Sequence, residues 1–145
     1  MILIADCGST KIDWCLIDGN NIEKQVFTCG MNAVMLSEEE IRLRIAEELL
    51  PELGTLAASV DAVFFYGAGC ISPEVCGNVS RALKANLPSA ANVEVYSDLL
   101  AAARALCGHQ SGIACILGTG SNSCFYDGRE IVANVSPLGF ILGDE

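Results

Sequence analysis

Short apolar runs broken by glycine-bearing turns open the chain. Met1 to Ala5 forms one apolar run and Ile12 to Ile17 another, with Asp6-Cys7-Gly8-Ser9-Thr10-Lys11 between them. Two short apolar runs joined by a short glycine turn predict a hairpin. Gly19-Asn20-Asn21 marks a second turn, and Ile22 to Cys29 a third strand, completing an antiparallel meander. The pattern then changes. After a loop from Gly30 to Leu36, Ser37-Glu38-Glu39-Glu40 fits a capping box. Ile41, Ile45 and Leu49 repeat on one helical stripe as far as Pro51. Val60 to Tyr66 is an almost wholly apolar strand of the buried parallel kind. Ser72-Pro73-Glu74 starts a second helix with the stripe Val75, Val79 and Leu83. Val93 to Tyr96 forms a further strand, and Asp98 opens an alanine-rich helix that ends near Cys107-Gly108.

The order β-β-β-α-β-α-β-α predicts an α/β domain over residues 1–108, a mixed five-stranded sheet with helices packed on it. After Gly108 the strand pattern restarts as Gly112 to Leu117, Asn122 to Tyr126 and Glu130 to Val135. A hairpin plus one strand with nothing on its face is not a stable unit. Residues 109–145 are therefore expected to begin a second domain. By themselves they should be disordered or sheltered by another chain.

Composition narrows the function. With 145 residues, 52% of them apolar, the chain can bury a substantial core. A net charge of −10 argues against nucleic acid or an anionic membrane as partner. It also means that a bound polyphosphate needs a divalent cation, because the chain has only eight lysines and arginines. The eight cysteines form no C-x-x-C pair and mostly sit in apolar runs, so they read as core thiols of a reducing compartment. The single histidine, His109, lies in a predicted loop and leaves no His-ligated metal centre. Met1 opens directly onto a strand and no apolar run approaches membrane-spanning length, so a soluble, cytoplasmic protein is expected.

The candidate chemistry lies in two glycine-rich turns, each running from strand to strand. Gly8-Ser9-Thr10 serves equally as an ordinary hairpin turn or as a phosphate cradle, in which small residues admit close backbone approach. Asp6 either caps that turn or offers a carboxylate to a magnesium-bound water, and Lys11 either faces solvent or assists a phosphate. Gly118-Thr119-Gly120-Ser121 holds more glycines and hydroxyls than a turn requires. Asp98 reads as a helix N-cap, as a general base at the carboxyl end of a strand, or as both. Asn32, in Gly30-Met31-Asn32, either forms a turn or reads a polyol hydroxyl. Gly139-Phe140-Ile141-Leu142-Gly143-Asp144-Glu145 places an acidic pair after a glycine-flanked apolar run.

This ordered set resembles the sugar kinases of the actin, heat-shock-protein and hexokinase superfamily. Within it, the N-acetylglucosamine and glucosamine kinase group of the BadF/BadG/BcrA/BcrD ATPase family is the nearest in pattern. The resemblance covers Asp6 to Glu145, and Cys7 departs from the commoner glycine of the first motif. It implies a ribonuclease-H-like fold and ATP with Mg²⁺ as cofactors. Gly8, Ser9, Thr10 and Lys11, with Gly118, Thr119, Gly120 and Ser121, match ATP-phosphate positions. Asp98 matches the carboxylate that takes a proton from the sugar hydroxyl, while Asn32, Gly139 and Asp144 match sugar-binding positions. The implied partner is a small amino sugar, and the pattern is compatible with a homodimer. Relatives are about twice this length, so residues 1–145 alone, without an adenosine-binding segment, are expected to be inactive. Two rival readings are an ATPase that activates an iron–sulfur dehydratase and a non-catalytic sugar sensor.

Overall fold

In a computed structural model of the chain, residues 1–118 and 120–135 are described. The first three strands are β1 (Ile2–Cys7), β2 (Lys11–Asp18) and β3 (Asn21–Cys29), paired antiparallel as the turn signals predict. β1 extends through Asp6 and Cys7, so the turn itself shortens to Gly8-Ser9-Thr10. Two later strands, β4 (Ala62–Gly67) and β5 (Asn92–Ser97), join β1 in parallel. The result is a mixed five-stranded sheet in the order β3-β2-β1-β4-β5.

Helices cover one face of this sheet. Helix α1 (Glu38–Arg44) begins with the expected capping box, Ser37 accepting from the Glu40 amide and Glu40 from the Ser37 amide. That hydrogen bonding to Ser37 holds the Glu40 carboxyl below the usual carboxylate range. The helix does not stop at Pro51. It widens over Ile45–Leu49, where the Leu50 amide reaches back to the Ile45 carbonyl, and continues as α2 (Leu50–Leu53). Proline lacks an N–H and its ring crowds the carbonyl four residues back, and a widened turn relieves both conflicts. Ile41, Ile45 and Leu49 are all buried, so the helical stripe survives the irregularity. Helix α3 (Pro73–Asn86) is capped by Ser72 through the Val75 amide and buries Val79, Ala82 and Leu83.

These helices pack on Leu3, Ala5 and Cys7 of β1, Ile12, Trp14 and Leu16 of β2, and Val63 and Phe65 of β4. Trp14 anchors the layer, being 1% exposed, with its ring 5.8 Å from that of Phe65 and its indole N–H donating to Thr28 Oγ1 at 2.9 Å. Trp14→Ala should cost about 3–5 kcal/mol through the cavity it leaves. Denaturant unfolding checks this, and a loss below 1 kcal/mol would remove Trp14 from the core.

The chain divides into two compact units, Met1–Ser97 and Asp98–Glu145. Sequence pattern had put that division after Gly108. The difference is helix α4 (Asp98–Cys107), which packs on the second sheet, β6 (Gly112–Leu117), β7 (Ser121–Tyr126) and β8 (Ile131–Val135). Leu99 and Ala103 are buried with Ala114, Cys124 and Tyr126. The second sheet therefore has a helix on its face. α4 ends at Gly108, whose φ of +59° suits glycine.

Candidate active site

β1, β4 and β5 run parallel, with Cys7 in register with Gly67 and Gly67 with Ser97, so their carboxyl ends form one edge of the sheet. Two loops meet the first turn there. Within the turn, the Gly8 amide donates to the Lys11 carbonyl at 3.0 Å. The Gly30 amide donates to the Thr10 carbonyl at 3.0 Å and the Met31 amide to the Gly8 carbonyl at 3.1 Å. From the β4 side the Ala68 amide donates to the Cys7 carbonyl at 2.8 Å. Ser9 and Thr10 are exposed at the tip.

The closest packing involves a residue that the sequence reading passed over. A Cβ on Gly30 would lie 2.4 Å from the Lys11 nitrogen and the Thr10 carbonyl carbon, and 2.5 Å from the Ser9 carbonyl carbon. Only glycine allows the loop to rest on the turn. Gly69, at φ +80°, does the same for Asn32, whose Oδ1 would sit 2.4 Å from an added Cβ. Asn32 itself caps a short 3₁₀ turn, its Oδ1 accepting from the Val34 amide at 3.1 Å. That leaves the side-chain NH₂ to donate. Lys11 lies with its ammonium 5.1 Å from the centre of the Phe27 ring.

Asp6 is exposed on the face of the sheet opposite the helices, and Asp13 of β2 stands directly across from it. Asp13 was not anticipated. Its signal was available in the sequence, because it lies seven residues beyond Asp6, beyond a symmetric hairpin turn. Both Asp13 oxygens accept from Gln25 Nε2 at 2.9 Å. Like charges directly opposed across strands destabilise a sheet unless a cation relieves them. Two carboxylates beside a candidate phosphate turn are a donor set of the kind that suits Mg²⁺.

Asp98 follows β5 immediately and is the first residue of α4 rather than the residue before it, its Oδ1 accepting from the Leu99 amide at 2.8 Å. In the second unit β6 and β7 form the expected hairpin, with Leu117 opposite Ser121 and the Gly118 amide donating to the Gly120 carbonyl at 3.0 Å. Gly118 has open space around its Cα, so close packing does not demand glycine there. Thr119, Gly139 and Asp144 lie outside the described residues.

The cysteines are all free thiols, though only Cys7, Cys70 and Cys124 are buried, while Cys29 and Cys115 are exposed. Burial pushes the Cys76 thiol up despite a hydrogen bond with Cys70, which keeps it protonated and unreactive near neutral pH. Among the described residues no three acidic, histidine or cysteine side chains gather closely enough to hold a metal ion by themselves. No helix among them is long and apolar enough to cross a membrane.

No protein-family model and no curated protein matches the chain. Solved structures do match. Along its whole length the chain is 53% identical to a Porphyromonas gingivalis protein provisionally assigned as an N-acetylglucosamine kinase, with a TM-score of 0.95. The chain shares its fold with the half of that protein that it spans. Two further solved structures share the fold at low identity. A Chromobacterium violaceum protein with the same provisional assignment matches 96% of the chain at 16% identity and a TM-score of 0.68. A ROK hexokinase from Thermus thermophilus matches 90% at 16% identity and a TM-score of 0.56. The chain spans about half the length of each, covering 51%, 49% and 48% of them. The chain has a mixed five-stranded sheet with helices packed on it, and its second, three-stranded sheet fits the start of a second domain.

Proposed function

We propose that the chain forms the phosphate-gripping and acceptor-activating part of an ATP-dependent kinase for an amino sugar, N-acetylglucosamine or glucosamine, phosphorylated at the 6-hydroxyl. The observation that carries this reading is the packing at one sheet edge of the Gly8–Thr10 turn, which ends β1, against the loop bearing Asn32. In the sequence Asp98 directly follows the last strand of that sheet. Ligands of open α/β sheets bind at the carboxyl ends of strands. The likeness to the Porphyromonas gingivalis protein supports the choice of sugar.

In this reading Ser9 and Thr10 grip the ATP phosphates, with Lys11 adding charge. Gly118, Thr119, Gly120 and Ser121 form the second grip. The Asn32 amide, Gly139 and Asp144 orient the sugar. Asp98 accepts the proton of the 6-hydroxyl while that oxygen attacks the γ-phosphorus. The bond from phosphorus to the β–γ bridging oxygen breaks, leaving ADP and the sugar 6-phosphate. Phosphoryl transfer is chiefly positioning and charge stabilisation, so a single base with two phosphate grips is sufficient protein chemistry. Asp6, through water, and Asp13 opposite it would hold Mg²⁺, which when bound offsets phosphate charge. The reading also assigns the protein to the cytoplasm, where ATP is at hand, and allows a homodimer.

The test is an ADP-release assay on the full-length protein with a panel of hexoses and amino sugars. Release should depend on sugar and be fastest with an amino sugar, and residues 1–145 alone should give none. Equal release with and without every sugar would overturn the kinase reading.

A further inference from the structure

We propose that Arg44 and Glu48 are positioning residues for the first phosphate turn. They act from the helix layer through the Cys29–Met31 segment. Arg44 Nη1 donates to the Gly30 carbonyl at 3.1 Å, and the Cys29 amide donates to Glu48 Oε2 at 2.8 Å. The same segment is bonded on its other side to the turn, through the Gly30 and Met31 amides. It is pressed so closely against that turn that a Cβ on Gly30 would lie 2.4 Å from the turn's main chain. A cation on a carbonyl and a carboxylate on an amide thus hold two consecutive residues from behind. Both bonds are charge-assisted, and both side chains are half-buried, where solvent screens them less.

The need for such a clamp follows from the geometry. Gly8 spends its amide on closing the turn, so the exposed Ser9 and Thr10 must present the ligand contacts. Nothing covalent fixes their height above the sheet edge except the short turn itself. The Gly30 loop sets that height, and Arg44 and Glu48 set the Gly30 loop. Arg44 directly precedes the widened turn Ile45–Leu49 and Glu48 lies within it, and Ile45 and Leu49 of that turn are buried. The clamp is thus anchored in the core.

This inference rests on reading the turn as a phosphate site, and its test separates the two. Amide exchange in residues 1–145 needs no ligand. In Arg44→Ala and in Glu48→Ala, the Gly30, Met31 and Gly8 amides should exchange roughly tenfold faster or more, while β4 amides keep their rates. Arg44→Lys should restore most of the protection. Unchanged exchange at those three amides, or equal acceleration across the sheet, would overturn the proposal. In the full-length protein the same two alanine variants should raise KM for MgATP roughly tenfold and leave that for the sugar unchanged. Faster exchange with an unaltered KM for MgATP would overturn the phosphate reading, and this proposal with it.

Discussion

Gly30→Ala is expected to dislodge the first turn although Gly30 lies outside it. The added Cβ would stand 2.4 to 2.5 Å from main-chain atoms of Ser9, Thr10 and Lys11. Backbone cannot swing aside as a flexible side chain can. Either the loop lifts, losing the Gly30-to-Thr10 and Met31-to-Gly8 hydrogen bonds, or the turn is pushed out of place. Overpacking of this kind costs about 1–3 kcal/mol, and lost hydrogen bonds add to it. Denaturant unfolding should show that loss, and KM for MgATP in the full-length protein should rise more than KM for the sugar. Gly8→Ala makes the contrast, since its Cβ would meet only the Lys11 carbonyl oxygen, at 3.4 Å. The glycine inside the turn should thus tolerate a methyl better than the one behind it. Wild-type stability in Gly30→Ala would show that the loop does not support the turn.

Asp98→Asn should lower kcat in the full-length protein roughly 10²- to 10⁴-fold, the usual contribution of a positioned base. Asparagine retains a side-chain oxygen to accept from the Leu99 amide, now at 2.8 Å, so the start of α4 should survive. Stability and both KM values should therefore stay near wild type. A helix-starting role alone would leave turnover intact, and wild-type kcat would remove Asp98 from the chemistry.

Much of the first sheet is written locally. Apolar runs and the glycine turns between them mark β1 to β3, and the Val60–Tyr66 run marks β4. The Ser37–Glu40 capping box and the Ser72 cap give α1 and α3 their starts. Such signals are readable because their free energies arise within a turn or two of chain. The candidate phosphate turn was legible for the same reason. The path of α1 past Pro51 was less so, because a proline stop is a local preference that burying Leu49 and Leu53 overrode.

Sequence alone thus determined the element order, the helix starts and the two glycine turns. The tertiary structure decided which of those pieces touch. It drew α4 to the second sheet through Leu99 and Ala103, because an alanine-rich helix shows an apolar face without naming the sheet it will cover. It set Asp13 across from Asp6, laid Gly30 on the turn and brought Arg44 and Glu48 behind it. Each of these depends on strand register and helix packing between distant segments. That is where burial of a shared core, rather than the preference of any one stretch, selects the arrangement.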